Sequence, residues 1–411
     1  MFSPTPLLLT TILAVAIAAS PLQVRNTFIT LPFLKRFNVE AGIIKLLEHD
    51  QARAAALLDH GNDIVRRNFT RRTRSITVIN ETVSYVATVG VGIPSSTYHL
   101  IVDTGSSNMW IGANSTYQQT NSSGLGGLIV SVSYGSSSFT GLVWYDTISL
   151  GSDFILPRQS IAVASVSQGF TTVDDVLGIG PVDLTKTTFT IEPNHTAPTV
   201  SDNLFNQGLI AQELVGMSFA PTNPSHNTTG ELIFGGVDSS KYTGTLNNVP
   251  LTNTKPAAYF WGIDESITYG SATILSGTAG IVDTGTSLIL IASDAFSKYQ
   301  SLTGAVQDNS TGLLRITNSQ YDSLHNLNFS IGNNSYTLTP NAQIWPRVLN
   351  TYIGGSPGYI YLIVADIGWS SGQGLDLING QAFLERFYSA LDTTNSRVGF
   401  ALTTHTYATI N

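Results

Sequence analysis

An all-β fold of two related lobes is predicted by three features of this 411-residue chain. A seven-residue stretch occurs twice, the composition is that of strands and turns, and charge divides between a leader and a body. The stretch Ile101-Val102-Asp103-Thr104-Gly105-Ser106-Ser107 returns as Ile281-Val282-Asp283-Thr284-Gly285-Thr286-Ser287, with one Ser-to-Thr exchange. Recurrence at such a distance implies duplicated lobes, because solenoid periods are far shorter. Charged residues make up 11% of the chain, against roughly 25% in average globular proteins. Ser, Thr, Asn and Gly carry the polarity instead, and a Thr/Val/Ile-rich, turn-rich sequence favours strands.

The N-terminus is of another kind. An apolar run from Leu7 to Ala19 follows Met1-Phe2-Ser3-Pro4 and ends in small residues. It is short for a membrane span, so residues 1–20 are expected to be a cleaved signal peptide, although the usual positive n-region is missing. The chain has no cysteine, which excludes disulfides and thiol chemistry. Asn80, Asn114, Asn121, Asn194, Asn227, Asn309, Asn328 and Asn333 each have Ser or Thr two places on. These are glycosylation acceptors if the chain is secreted.

Charge marks the next boundary. The chain carries +5 up to Arg74 and −13 from Ser75 onward, within a total of −8. Residues 38–60 read as a helix, with Ile43, Ile44, Leu47, Ala54, Leu57 and Leu58 at near-helical spacing and Glu40, Glu48, Gln51 and Arg53 between them. A basic, partly helical leader before an acidic β-body suggests a pro-segment over residues 21–74, ending at the basic clusters Arg66-Arg67 and Arg71-Arg72-Thr73-Arg74. The acidic body argues against nucleic acid or an anionic membrane as partner. Ion pairs between leader and body would weaken as carboxylates protonate near pH 4. Acid-triggered release is therefore expected.

Within the body, residues 83–93 and 97–102 read as strands leading into the first Asp-Thr-Gly. Residues 128–134 and 138–150 form an expected hairpin around Gly135-Ser136-Ser137, followed by an apolar run at 176–180. In the second half, residues 280–282 lead into the second Asp-Thr-Gly, and residues 375–380 are another apolar run ending at Gly380. A boundary near Lys241–Gly244 divides the body into lobes at 75–243 and 244–411, each of ordinary domain size.

The repeated turn carries the chemistry. One Asp-Thr-Gly alone is ordinary turn material; two copies with matching apolar flanks are not explained that way. Two facing carboxylates cannot both ionise, so one keeps its proton where free Asp would lose it. The ionised Asp103 or Asp283 can then deprotonate water while its partner polarises a carbonyl. Gly105 and Gly285 permit close backbone approach. Thr104 and Thr284 can tie the turns together, and Ser106 and Thr286 can bond the outer carboxylate oxygens. No metal or cofactor is needed, and the 7 histidines show no ligand-like clustering.

Around these turns the sequence resembles the pepsin-family aspartic proteases, closest to the polyporopepsin type of fungal enzyme. The resemblance covers nearly all of residues 75–411. Asp103-Thr104-Gly105-Ser106-Ser107-Asn108-Met109-Trp110 matches one family motif and residues 281–288 the other. Asp202-Asn203-Leu204-Phe205-Asn206-Gln207-Gly208-Leu209 and Phe234-Gly235-Gly236-Val237-Asp238 match further segments. The resemblance implies a bilobal pepsin-like fold with a cleft between the lobes, Asp103 and Asp283 as catalytic pair, and proton sharing of the kind established for that family. It implies a mobile flap at residues 134–141, with Tyr134, Gly135 and Ser136 facing substrate and Trp110 orienting Tyr134. Gly105, Gly285 and Thr286 would line the same cleft. Lys35 could reach the pair from the leader, although a solvated lysine reads as well. Ser137 and Asp175 stand where the family usually has Gly, which puts flap geometry and subsite shape in doubt.

The function expected is a secreted, extracellular, monomeric acid endopeptidase. Its partners would be polypeptide substrates, its own pro-segment and pepstatin-type inhibitors, without nucleic acid or membrane. A silent pepsin-like binding protein would have lost an Asp, a Gly or the flap Tyr. A carbohydrate-binding β-protein would not explain the paired turns, and no Ser/His/Asp arrangement supports a serine hydrolase.

Overall fold

The computed structural model describes residues 28–37, 42–66, 83–151, 154–170, 173, 175–221 and 229–410. The signal peptide expected at 1–20, the basic cluster at 71–74, Asp174 and the sequons at Asn80 and Asn227 lie outside the described residues.

The leader supplies strand β1 (Ile29–Phe37) and helix α1 (Leu46–Arg66). The N-terminal half continues with β2 (Val83–Val91), β3 (Ser96–Asp103), β4 (Met109–Ile111), β5 (Gly124–Ser133), β6 (Ser138–Leu150), β7 (Phe154–Gln168) and β8 (Asp175–Gly178). Helix α2 (Val200–Asn206), β9 (Leu214–Ser218), β10 (Thr229–Phe234) and β11 (Thr243–Pro250) lead onward. The C-terminal half holds β12 (Gly262–Tyr269), β13 (Ala272–Val282), β14 (Ile289–Ile291), α3 (Ser293–Thr303), β15 (Val306–Gln307), β16 (Leu314–Ile316), α4 (Asn318–Tyr321), β17 (Leu327–Ile331) and β18 (Asn334–Leu338). It closes with β19 (Ile360–Tyr361), β20 (Val364–Asp366), β21 (Leu377–Asn379), α5 (Gln381–Leu384), β22 (Phe387–Asp392) and β23 (Arg397–Leu402).

The strands are mainly antiparallel, and the two halves repeat one pairing pattern. In the first, β3 runs parallel to β8, β8 antiparallel to β4, and β4 parallel to β7. In the second, β13 runs parallel to β21, β21 antiparallel to β14, and β14 parallel to β20. The sequence repeat is thus a repeat of topology. A sheet of 13 strands joins β11, β23, β22, β9, β10 and β1 to the N-terminal strands, and a 7-stranded sheet forms the C-terminal lobe. Residues 241–244 lie where a short turn enters β11, inside the shared sheet.

The leader is built into this core. Strand β1 fits between β10 and β2, with Ile29, Leu31 and Phe33 buried and the residues between them exposed. That period-2 pattern marks a half-buried strand. Phe33 packs on Tyr85 and Phe219 with ring centroids 5.1 and 5.0 Å apart. The helix expected at 38–60 occurs later, at Leu46–Arg66, and runs through Gly61. Glycine there answers close packing, because a Cβ would stand 2.6 Å from the Pro256 Cβ. The body also contains the short helices α2 to α5, where only strands and turns were expected. α2 opens with a reciprocal cap between Thr199 and Asp202.

Candidate active site

β3 ends at Asp103 and β13 ends one residue before Asp283, so the two turns leave matching strands. Each strand lies beside a parallel apolar partner, β8 or β21, which pins the turn from behind. The turns are tied across the pseudo-symmetry. Thr104 donates its hydroxyl to the Val282 carbonyl (3.0 Å) and accepts from the Thr284 N–H (2.9 Å). Thr284 donates to the Val102 carbonyl (2.8 Å) and accepts from the Thr104 N–H (3.0 Å). All four partners are buried, so the loop pair is held by bonds that water cannot replace.

Each carboxylate is oriented by its own turn. Asp103 accepts from the Gly105 N–H (3.0 Å) and the Ser106 hydroxyl (2.5 Å). Asp283 accepts from the Gly285 N–H (3.2 Å) and the Thr286 hydroxyl (2.5 Å). The roles expected for Thr104, Thr284, Ser106 and Thr286 are therefore the contacts observed. A Cβ on Gly105 would stand 2.6 Å from Asp283 Oδ1, which explains glycine in the turn.

The third party at these carboxylates is Arg53. Its Nε and Nη2 donate to Asp283 at 2.7 Å each, and Nη2 also donates to Asp103. Burial pushes Asp103 up; Arg53 opposes this and Asp283 adds to it, leaving Asp103 raised. Burial pushes Asp283 up as well, but the charge and bonds of Arg53, with Thr286 and Gly285, outweigh it and leave it lowered. Asp283, gripped by the guanidinium fork, is thus the better stabilised anion of the pair. Burial alone would depress the Arg53 pKa, and the two carboxylates reverse that and raise it.

Lys35 neither reaches this pair nor lies in solvent. Its Nζ pairs with Glu385, which also accepts from the Tyr85 hydroxyl (2.6 Å). A lysine on β1 is held in the interlobe sheet, whereas α1 crosses the turns. By its spacing in the sequence Arg53 is one of the polar residues between the apolar positions of the helix. The overlooked signal is its place in the buried stripe of Leu46, Asp50, Arg53, Leu57, Gly61 and Ile64. A charge at an apolar-stripe position needs a buried partner. Asp50 obeys the same rule, accepting from the N–H groups of Ser287 (3.0 Å) and Leu288 (2.8 Å) and facing His49 (3.1 Å).

The hairpin of β5 and β6 closes over α1. Trp110 donates its indole N–H to the Tyr134 hydroxyl (2.9 Å) and stacks on Phe139 at 4.1 Å. Burial pushes the Tyr134 phenol well up, keeping it neutral. A Cβ on Gly135 would meet the Ala52 carbonyl oxygen at 2.2 Å, so the hairpin rests on the helix backbone. Ser136 is buried beside the pair. The two departures fit their surroundings. Ser137 packs on Gly169, and its carbonyl accepts the Tyr134 N–H (2.8 Å). Asp175 is buried and accepts from the N–H groups of Gly112 and Ala113, just past Trp110. Two remaining spaces beside Arg53, of about 40 and 30 Å³, are too small for a peptide while α1 is present.

The family model described as eukaryotic aspartyl protease matches residues 84–403. This chain belongs to that family. It is 56% identical to polyporopepsin of Irpex lacteus over 338 residues, covering 82% of this chain and 99% of the relative. It is 31% identical to pepsin A of Sus scrofa over 344 residues, covering 77% of this chain and 80% of the relative. The crystal structure of the aspartic proteinase from Irpex lacteus aligns with a TM-score of 0.78 at 57% identity, over 80% of this chain and 96% of that one. The pepsin-like fold and an aspartic-type endopeptidase activity follow. Polypeptides are accordingly its substrates. Among the described residues no His/Cys/Asp/Glu group suited to a metal occurs, and no helix is long and apolar enough to cross a membrane.

Proposed function

We propose that Asp103 and Asp283 are the catalytic pair of a secreted endopeptidase that works in acid and is made with an inhibitory pro-segment. The observation that carries this is the meeting of both carboxylates on one guanidinium at the crossing of two matched turns. Once Arg53 leaves, the two acids share one proton. A water between them loses a proton to the ionised carboxylate and attacks the scissile carbonyl, whose oxygen receives the hydrogen bond of the protonated carboxyl. Return of a proton to the amide nitrogen breaks the C–N bond. No acyl-enzyme forms. The pair titrates as a unit, so the pH profile belongs to both residues. The substrate strand would lie under Tyr134, Gly135 and Ser136 and over Gly105, Gly285 and Thr286, bonded as an added strand.

The segment 21–74 is the inhibitor in this reading. It supplies β1 to the sheet, Arg53 to the pair and Asp50 to the Ser287–Leu288 backbone. Protonation of Asp103 and Asp283 in acid removes the charge that holds Arg53. Secretion is supported by the apolar N-terminus and by sequons exposed at Asn114, Asn121, Asn194, Asn309 and Asn333. The test is digestion of a denatured protein at pH 3 to 5, with and without a pepstatin-type inhibitor. Inhibitable cleavage that disappears in both Asp103→Asn and Asp283→Asn is expected. Cleavage that resists the inhibitor, or survives in D283N, overturns the reading.

A further inference from the structure

The internal repeat allows each position of one half to be compared with its counterpart. Ile101 pairs with Val86 and Ile281 with Gly262, so three residues on Val89 corresponds to Glu265. Val102 pairs with Leu177 and Val282 with Asn379, so Leu177 corresponds to Asn379. The first lobe therefore places two fully buried aliphatic side chains where the second places a carboxyl group and an amide. Hydrocarbon suffices there in the first lobe, so a polar pair in the second calls for a role.

The pair is joined and incomplete. Asn379 Nδ2 donates to Glu265 Oε1 at 2.7 Å. The other oxygen of each group, Glu265 Oε2 and Asn379 Oδ1, is buried with no hydrogen-bond partner. Two unsatisfied acceptors on two bonded groups are costly if they stay so. One proton on Glu265 supplies the missing donor, for a neutral carboxyl can return a hydrogen bond to the amide oxygen. An ionised Glu265 has no such answer. Among the described residues no cation pairs with it. Its own strand offers Asp264, β13 offers Thr278 and Ala279, β17 offers Ile331, and Asp376 and Asp283 flank β21 and β13. The charge that acts on Glu265 is that of Asp264, and it is negative; the Arg53 cation is taken up by Asp283 and Asp103.

Asn379 also touches the active site, because its carbonyl accepts the backbone N–H of Asp283 at 3.1 Å. We propose that Glu265 is a positioning residue, kept as a neutral carboxyl, whose paired hydrogen bonds with Asn379 fix the carbonyl that holds Asp283. This rests on the assignment of Asp283 to the catalytic pair. Burial pushes the Glu265 carboxyl up to about 8; the Asn379 N–H acts against this and Asp264 adds to it. A carboxyl whose folded value lies above its free value contributes fully below the free value, near 4.3. That contribution declines with rising pH and is gone above about 8. The device suits an enzyme that works in acid and is lost in weak alkali.

The test holds the acid-processed protein at pH 5 to 9.5 and follows tryptophan fluorescence, with residual hydrolysis measured after return to pH 4. Wild type should lose both signals as the pH rises toward about 8, where the Glu265 contribution has gone. Glu265→Gln offers an N–H to the free amide oxygen and cannot titrate, so its midpoint should rise by at least one pH unit. The double variant E265V/N379L copies the first lobe and should shift the same way. Unchanged midpoints in both variants overturn the proposal, as does a wild type that passes pH 9 intact. Glu213, raised to about 8 by burial and by Asp202, is the rival source of such a transition. If Glu213→Gln alone moves the midpoint, Glu265 is not responsible. A Glu265-dependent fluorescence transition in a protein that cleaves nothing at pH 4 would sink the assignment of the catalytic pair, and the positioning role with it, while leaving the neutral Glu265–Asn379 pair as a purely structural one.

Discussion

In the N-terminal half, Asp103 takes the Ser106 hydroxyl at 2.5 Å; in the C-terminal half, Asp283 takes the Thr286 hydroxyl at the same distance. Thr104 and Thr284 exchange equivalent bonds across the midline. The halves part company one layer away. Only the first carries the Trp110–Tyr134 hairpin, only the second backs its turn with Glu265 and Asn379, and Arg53 gives two bonds to Asp283 and one to Asp103. Reaction chemistry demands symmetry only of the groups that touch the shared proton and water. The layers behind are free to differ, and in the reading proposed above one covers substrate while the other holds its acid in register.

The grip of Arg53 is the most consequential asymmetry. Removing one partner of a buried ion pair costs about 3–5 kcal/mol, because the other charge is left uncompensated. In the unprocessed chain at pH 6, Arg53→Ala should therefore weaken the hold of the leader by about 100-fold or more. Hydrolysis before any cut, checked on gels run beside the assay, is the expected sign. Arg53→Lys should fall between, since an ammonium cannot span Asp283 bidentately and still reach Asp103. An R53A chain as silent as wild type would move the inhibition to β1 or to Asp50.

The crossed threonines bear on the symmetric part. Thr104→Ala and Thr284→Ala each leave a buried N–H without its acceptor, at about 1–3 kcal/mol. Similar losses of stability in urea, and a double variant less damaged than their sum, are expected, because both side chains serve one clamp. Unequal single effects beyond about 1 kcal/mol would mean that the two turns are not mechanically equivalent.

The fold class and the pair were legible because they repeat. The two Asp-Thr-Gly turns carry matching flanks, and matching flanks mean matching strands. Arg53 is not legible in the sequence because charges on a helix usually face solvent; the docked stripe of α1 shows that it points inward. Lys35 was drawn to the pair by its charge, but β1 lies in the interlobe sheet and delivers it to Glu385. Asp175 looked like a disturbance because a carboxylate stood at a glycine position. Its oxygens turn out to receive the N–H groups of Gly112 and Ala113. Glu265 lies in the run Gly262-Ile263-Asp264-Glu265-Ser266, where alternation does not tell a buried acid from an exposed one. Its burial depends on the register with β13 and β21, a long-range fact.

The smallest expected effect concerns the Trp110–Tyr134 contact of the first half. Trp110→Phe keeps an aromatic ring against Phe139 and Phe170, at 4.1 and 4.8 Å in wild type, but removes the N–H that holds Tyr134. One neutral hydrogen bond contributes about 0.5–1.5 kcal/mol, so kcat/KM should fall about three- to tenfold. The alkaline midpoint should not move, because the C-terminal lobe is untouched. Should W110F instead shift that midpoint, the hairpin and the Glu265 layer would be coupled through the pair they flank. The division of labour between the halves would then be cooperative, with covering and positioning no longer separable by mutation.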